Sequence, residues 1–321
     1  MEFKFNVLPS YSPFKPTESV RVLVLGSGPA GLAAALYAAR AELNPLVLSG
    51  IELGGQAALT STIENYPGFP DGVGGVELGD LFQKQAERFG ARIELDTAST
   101  VDLTQRPFRV STYNKDYLAD AMIIATGASP NHLNVPGEKE MTGHGVSYCA
   151  TCDGWFFKGK QVVVVGGGDS ALEEGLFLTR FASSVTIIHR RDTFRAGAIL
   201  QRRAKEDAKV KFIFDSVVTK IVGEKVVEGI HLQNVKTHEE TFLPTDGVFI
   251  FIGHTPNTTL FKGQLDMDES GYLRADGKMQ TSLPGVYAAG EVADPIFRQV
   301  VTSAGMGAAA AIQVTSFLEK N

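Results

Sequence analysis

VRVLVLGSGPAG, running from Val20 to Gly31, is the stretch whose reading decides the fold. The β-branched run Val20–Leu25 ends in Gly26-Ser27-Gly28-Pro29-Ala30-Gly31, and LAAALYAARAELN, residues 32–44, follows with few helix breakers. Strand, glycine turn and helix open a dinucleotide-binding βαβ unit, with the next strand expected at Pro45–Leu48. Gly26 tightens the turn, Gly28 lets backbone N–H groups approach a pyrophosphate, and Gly31 lets the helix pack closely. Pro29 and Ala30 complete the turn, and the helix N-terminus supplies a partial positive charge. A carboxylate for the ribose is expected roughly 20 residues after the third glycine. Ser49 and Gly50 stand there instead, with Glu52 the nearest acid. The first unit therefore reads as holding an adenine dinucleotide mostly by backbone.

The pattern returns 140 positions later. The apolar run Gln161–Val165 leads into Gly166-Gly167-Gly168-Asp169-Ser170-Ala171, then LEEGLFLTRFA and a second strand, Ser184–Ile188. That strand runs into His189-Arg190-Arg191-Asp192-Thr193-Phe194-Arg195, where an NAD site would place a carboxylate. A guanidinium fork suits a 2′-phosphate, so the turn reads as a site for NADPH, against the plainer reading of a solvated basic turn. His189 reads equally as a ligand contact or a packed turn residue. Two apolar runs, Met122–Ala128 and Val248–Gly253, each enter a Gly/Pro turn and mark crossings between domains. The expected architecture is α/β, with two Rossmann-like dinucleotide-binding domains. Residues 20–131 and 258–321 form a split domain, residues 132–257 an inserted one, and residues 1–19 an N-terminal extension.

Composition narrows the class. Of 321 residues, 44% are apolar and 21% charged, as in a soluble globular protein with room for two cores. The net charge of −6 disfavours a nucleic-acid partner. No uninterrupted apolar run has the length of a membrane span, and residues 1–19 lack the apolar core of a secretory signal. Two cysteines cannot build a multi-bridge extracellular framework, so a reducing cytoplasm is expected.

Both cysteines lie in SYCATCDGW, residues 147–155. A C-x-x-C pair can close and reopen a small ring without large backbone movement, and exchange with a partner disulfide proceeds through thiolate attack. Half a zinc site and two unrelated buried cysteines are the competing readings. Asp153 reads as a general acid or as a turn or N-cap residue. Trp155 and Phe156 read as an exposed docking pair or as core.

With these residues in view, the chain resembles the low-molecular-weight, NADPH-dependent thioredoxin reductases over residues 20–321. The motifs are GSGPAG (26–31), GGQ (54–56), ENYPGF (64–69), ATGA (125–128), CATCDG (149–154), GGGDSALEE (166–174), HRRDTFRA (189–196), IGHTPN (252–257) and GVYAAGEVADPIFRQVVTSAG (285–305). The resemblance implies FAD in the split domain, NADPH in the inserted one, thioredoxin as the protein substrate, and a homodimer. FAD would be met by Gly26, Gly28, Pro29, Ala30, Gly31, Ser49, Gly50, Gly54, Gly55, Gln56, Asn65, Ala125, Thr126, Gly127, Gly290, Glu291, Arg298, Gln299 and Val300. NADPH would be met by Gly166, Gly168, Asp169, Ser170, His189, Arg190, Arg191 and Arg195. Cys152 would face the flavin, Cys149 would attack the incoming disulfide, and Asp153 would protonate the departing thiolate.

Three positions depart from the family pattern. Glu291 stands where Asp is usual, His144 where Arg is frequent, and the N-terminus is longer than in shorter bacterial members. Related readings are a reductase of small disulfides and a non-catalytic redox sensor. A peroxiredoxin-reducing flavoprotein would carry an extra N-terminal domain for which residues 1–19 are too short. Because the nicotinamide site and the cysteine pair share one domain yet must meet one flavin, that domain is expected to rotate about Gly127–Asn131 and Gly253–Asn257. A crosslink holding both crossings is expected to arrest NADPH oxidation; undiminished turnover would refute the rotation.

Overall fold

The computed structural model describes residues 15–320 apart from Glu52 and Ser61. The reading of Glu52 as a ribose acid and most of the N-terminal extension lie outside the described residues. The described chain divides into two compact units. One holds the residues up to Ala58, Gly75–Gly127 and those from Pro256 on; the other holds Leu59–Gly74 and Ala128–Thr255.

In the first unit the chain forms β1 (Thr17–Leu25), α1 (Pro29–Arg40), β2 (Leu46–Leu48), α2 (Gly75–Arg88), β3 (Arg92–Glu94), β4 (Thr100–Asp102), β5 (Phe108–Ser111) and β6 (Asp116–Ile124). Thr17–Ser19 thus belong to the first strand and not to an extension. The helix stops at Arg40, short of the expected Asn44, because Glu42 and Asn44 both take left-handed backbone with φ of 58° and 47°.

The chain enters the second unit through β7 (Ala128–Pro130) and builds β8 (Val146–Ser147), α3 (Ala150–Asp153), β9 (Gln161–Gly166), α4 (Asp169–Leu178), β10 (Ser184–Ile188), α5 (Ala198–Glu206) and β11 (Val210–Ile213). An antiparallel layer of β12 (Ser216–Val222), β13 (Gly229–Asn234) and β14 (Glu240–Pro244) follows, then β15 (Gly247–Phe251) and β16 (His254–Pro256). The return to the first unit adds β17 (Val286–Ala288) and α6 (Val300–Leu318).

The first unit's sheet runs β3-β2-β1-β6-β5-β4, with β17 also on β6. The strands β3, β2, β1, β6 and β17 pair in parallel, while β4 and β5 are antiparallel. Its central strands read as unbroken apolar runs because both faces are covered. Val22, Val24, Ala121 and Ile123 pack on the alanine face of α1 and on Ala310, Ala311 and Val314 of α6. Leu23, Leu25, Met122 and Ile124 point the other way, into a core closed by Phe261, Leu265 and Leu273. The two helices cross closely, since a Cβ on Gly307 would sit 2.0 Å from the Ala30 carbonyl oxygen. Small side chains on α1 are therefore a packing requirement. Although α6 has the length and apolar composition of a membrane-spanning helix, its Ser303, Ala304, Gly307, Ala310, Ala311 and Val314 are buried in this unit.

The second unit's sheet, β11-β10-β9-β15-β8, is parallel throughout. Val162, Val164, Val185, Ile187 and Phe249 meet Ala171, Leu172 and Leu178 of α4. Val163, Val165, Ile188, Val248 and Ile250 meet Val218, Ile221, Ile230 and Leu232 of the antiparallel layer. That layer does for this face what Phe261, Leu265 and Leu273 do for the second face of the first unit's sheet. Residues 59–74, read from sequence as part of the first domain, cluster instead with the second unit. The crossings pair with each other as a two-stranded ribbon, β7 on β16.

Candidate active site

The first glycine turn is built against a neighbouring strand. Gly26 has φ of 106°, and a Cβ there would lie 2.3 Å from the Ala125 carbonyl oxygen, so only glycine lets the end of β6 come this close. The turn delivers Gly28 to the N-cap of α1 with Pro29 in the first turn, and no side chain caps that end. The N–H groups of the first turn have no intrahelical acceptors, and the space beside Gly28 is open. This is a cradle shaped for a pyrophosphate.

Around it the unit gathers most of the expected residues. A Cβ on Gly55 would lie 3.1 Å from Gly28 Cα, so the loop carrying Gly54, Gly55 and Gln56 is folded against the turn. Ser27 donates its hydroxyl to the Ser49 carbonyl at 3.2 Å, which brings Ser49 and Gly50 alongside. Gly290, with φ of 77°, faces Ala30, where an added Cβ would stand 2.8 Å from the alanine methyl. Thr126 and Asn257 are clasped by two bonds, Thr126 Oγ1 to the Asn257 carbonyl at 2.8 Å and Asn257 Nδ2 to the Thr126 carbonyl at 2.9 Å. Asn257 N–H also donates to the Gly127 carbonyl at 3.0 Å. Asn65 is the exception, since it lies in the segment that clusters with the second unit.

Glu291, Arg298, Gln299 and Val300 are organised by a residue the motif reading passed over. Asp294 is buried and accepts the N–H groups of Ile296, Phe297 and Arg298 at 2.9, 2.9 and 3.2 Å. These bonds curl residues 294–298 into the entry of α6, whose N-cap is Gln299. The legible signal was a short acid two to four residues ahead of the N–H groups it satisfies. Burial pushes the Glu291 carboxyl up to about 6, against the lowering influence of Arg298 and with Asp294 adding to the rise.

The second turn repeats the construction. A Cβ on Gly166 would stand 2.4 Å from the Phe251 carbonyl oxygen, and α4 starts from an uncapped N-cap at Gly168, beside open space. The arginine segment folds back onto it. Arg195 N–H donates to the Gly167 carbonyl at 2.8 Å, and Gly197 N–H to Asp169 Oδ1 at 2.7 Å. Asp169 thus holds the arginine loop, while Ser170, Arg190, Arg191 and Arg195 are exposed around the turn. His189 is buried, stacked on Phe194 at 5.5 Å, and fills the place of a side chain on Gly167. Its Nε2 has no hydrogen-bond partner among the described residues. Burial and the flanking Arg195 and Arg191 hold its pKa below the ordinary value. Lys236 pairs with Asp192 at 3.1 Å and Asp215 at 3.0 Å, one ammonium shared between two carboxylates.

Cys149 and Cys152 are joined as a disulfide, with 5.3 Å between their Cα atoms. Cys149 is the N-cap of α3, and its Sγ accepts the Cys152 N–H at 3.1 Å. Asp153 makes no side-chain cap bond to the following turn. It is partly buried, its Oδ2 lies 2.6 Å from Ser147 Oγ, and burial raises its pKa against the lowering influence of that hydroxyl. Trp155 is 52% and Phe156 40% exposed, whereas Phe157 is the ring that packs into the core, 5.0 Å from Phe249. His144 is exposed, its Nδ1 3.3 Å from the Thr142 carbonyl.

Two glycine-turned nucleotide units and a C-x-x-C disulfide define a pyridine nucleotide-linked disulfide oxidoreductase. Residues 20–307 match the pyridine nucleotide-disulphide oxidoreductase family. A thioredoxin reductase of Rickettsia bellii is 51% identical over 307 residues, covering 94% of this chain and 99% of its own length. Thioredoxin reductase structures from Streptococcus pyogenes (43% identical, TM-score 0.90) and Giardia duodenalis (40%, 0.89) each match 94% of this chain and 99% of their own. The chain belongs to the low-molecular-weight thioredoxin reductases of this family. It is an FAD- and NADPH-dependent enzyme.

Two expectations follow from these geometries. Replacing Arg190 and Arg191 together by Ala is expected to lower the rate of flavin bleaching by NADPH about 100-fold while leaving that by NADH nearly unchanged, as stopped-flow absorbance would read. Glu291 titrates at 4.5 in the unfolded chain and about 6 in the folded one, so the folded state favours its protonated form. That contribution is complete below pH 4.5 and lost as pH rises through 6, about 2 kcal/mol in all. Glu291→Gln is expected to flatten this dependence in the flavin-free protein, measured by urea unfolding across that range.

Proposed function

We propose that the enzyme reduces the disulfide of thioredoxin, with Cys149 and Cys152 as the exchanging pair. The observation that carries this reading is the closed Cys149–Cys152 disulfide beside the partly buried Asp153 carboxyl. When bound, FAD supplies the relay that takes an electron pair from NADPH and delivers it to a disulfide. The cradle of Gly26, Gly28 and the α1 N-terminus, flanked by Gly54–Gln56 and Gly290–Glu291, would hold it. The uncapped α4 N-terminus with Arg190, Arg191 and Arg195 would hold NADPH.

Opening the Cys149–Cys152 bond takes up two electrons and, on completion, two protons. Asp153 provides one of them to the departing Cys149 sulfur, because burial keeps its carboxyl protonated to a higher pH than a solvated one. For attack on the partner disulfide Cys149 returns that proton to the Asp153 carboxylate and acts as a thiolate, and the Cys152 N–H aimed at its sulfur stabilises the negative charge. Trp155 and Phe156, exposed within four residues of the pair, offer an apolar face to the rim of a protein disulfide.

The enzyme works as a homodimer. Val301 and Ile312, 42% and 51% exposed, are three turns apart on one face of α6, with Ile296 and Phe297 exposed beside its start. A cytoplasmic location suits a chain whose two cysteines must cycle between oxidised and reduced forms. Cys149→Ser and Cys152→Ser are each expected to abolish NADPH-dependent reduction of thioredoxin, with flavin bleaching by NADPH retained. Turnover of a small disulfide but not of thioredoxin by the unmodified enzyme would overturn the choice of substrate.

A further inference from the structure

Asp153 must carry a proton, give it up and take another without leaving its enclosed site, and the neighbouring hydroxyl is arranged for both states. Ser147 ends β8 and is 4% exposed. Its Oγ accepts the Cys149 backbone N–H at 3.1 Å, lies 2.6 Å from Asp153 Oδ2, and lies 3.2 Å from the Cys149 carbonyl oxygen. A hydroxyl has one proton and two lone pairs. With one lone pair committed to the Cys149 N–H, the other lone pair and the proton serve Asp153 and the Cys149 carbonyl in two alternative ways.

When Asp153 is a carboxylate, Ser147 O–H donates to Oδ2. When Asp153 is protonated, its O–H donates to Ser147 Oγ, and the serine proton turns to the Cys149 carbonyl. Both arrangements fit one set of heavy-atom positions, so a rotation of the hydroxyl alone accompanies the change of charge. Burial and the Ser147 hydroxyl are the influences that shift the Asp153 carboxyl among the described residues.

We propose that Ser147 is a positioning residue for the disulfide reduction, holding Asp153 in both protonation states and tying it to the backbone of Cys149. The proposal rests on the reading of Asp153 as the proton donor. In the step it serves, the electron pair from NADPH breaks the S–S bond, the Cys149 sulfur leaves as a thiolate and takes the Asp153 proton, and Ser147 O–H swings onto the new carboxylate. The carboxylate takes the proton back when Cys149 ionises to attack the partner disulfide, which restores the acid. Without the hydroxyl the carboxylate loses its donor, the ionised product of the transfer is disfavoured, and the Cys149 N–H is left without an acceptor.

The test uses the flavin-loaded enzyme with NADPH and thioredoxin, comparing kcat across pH for Ser147→Ala, Ser147→Thr and Asp153→Asn. Asp153→Asn is expected to lower kcat about 100-fold and remove the high-pH limb, which reports loss of the donor's proton. Ser147→Ala is expected to lower kcat about tenfold, move that limb to higher pH, and leave the KM for NADPH within about twofold. Ser147→Thr, which keeps the hydroxyl, is expected to restore the limb and most of kcat. If the alanine protein fails to retain flavin, Ser147→Gly gives the same reading. An unmoved limb in the Ser147→Ala enzyme, or a threonine variant no better than alanine, overturns the role of Ser147 while the Asp153 reading stands. An Asp153→Asn enzyme that keeps kcat and the limb overturns both.

Discussion

The approach of a strand carbonyl to a glycine with no side chain is the contact on which the two nucleotide sites depend. In the first unit the carbonyl belongs to Ala125, just past β6, and in the second to Phe251, at the end of β15. Each pairs in parallel with the strand that feeds the turn, Leu25 opposite Ile124 and Gly166 opposite Phe251. The strand ends are therefore level, and the helix that follows starts at the sheet's carboxyl edge with its first N–H groups facing open space. A methyl group at Gly26 or Gly166 would overlap the carbonyl and push the strand away from the turn. Sheet closure and the anion cradle are thus one arrangement, made twice.

The redox centre rests on a different balance, between withdrawing a carboxyl from water and keeping it able to ionise. Desolvation raises the pKa of Asp153, and a single hydroxyl opposes it. The cysteine pair is held by the same few residues, because β8, α3 and the bond from the Cys149 N–H to Ser147 Oγ place the sulfurs and the acid on one short backbone turn. Local covalent proximity makes this geometry insensitive to how distant parts of the unit relax. The arginine loop is the opposite case. Exposed ion pairs such as those of Lys236 contribute little stability, and its position relies on backbone bonds from Arg195 and Gly197 to the glycine turn.

Much of the candidate site was legible in sequence because its parts are local. Gly26–Gly31, Gly166–Ser170, Cys149–Asp153 and the arginines after Ile188 each act within a few residues of one another, and a strand–turn–helix pattern places them. Roles that depend on a distant partner were not legible. Asp169 lies in the second turn, but holding Gly197 is a task set by the return of a loop 28 residues further on. Gly167 makes room for the His189 ring. Ser147 carries no motif that distinguishes it from an ordinary strand residue. Asp294, although it lies within the 285–305 motif, shows its role only once its bonds to the Ile296, Phe297 and Arg298 N–H groups are seen.

By itself, the order of residues determined the twin strand–turn–helix units, the redox pair and the family, because periodicity and turn chemistry operate over short spans of chain. Tertiary structure alone decided that an antiparallel layer covers one face of the second sheet. It also decided that residues 59–74 join the second unit, that Phe157 is core while Trp155 and Phe156 are exposed, and that Asp153 is withdrawn from solvent. These outcomes turn on which surfaces are excluded from water together. That exclusion is settled by the packing of segments far apart in sequence, through hydrophobic burial and desolvation that no short motif encodes.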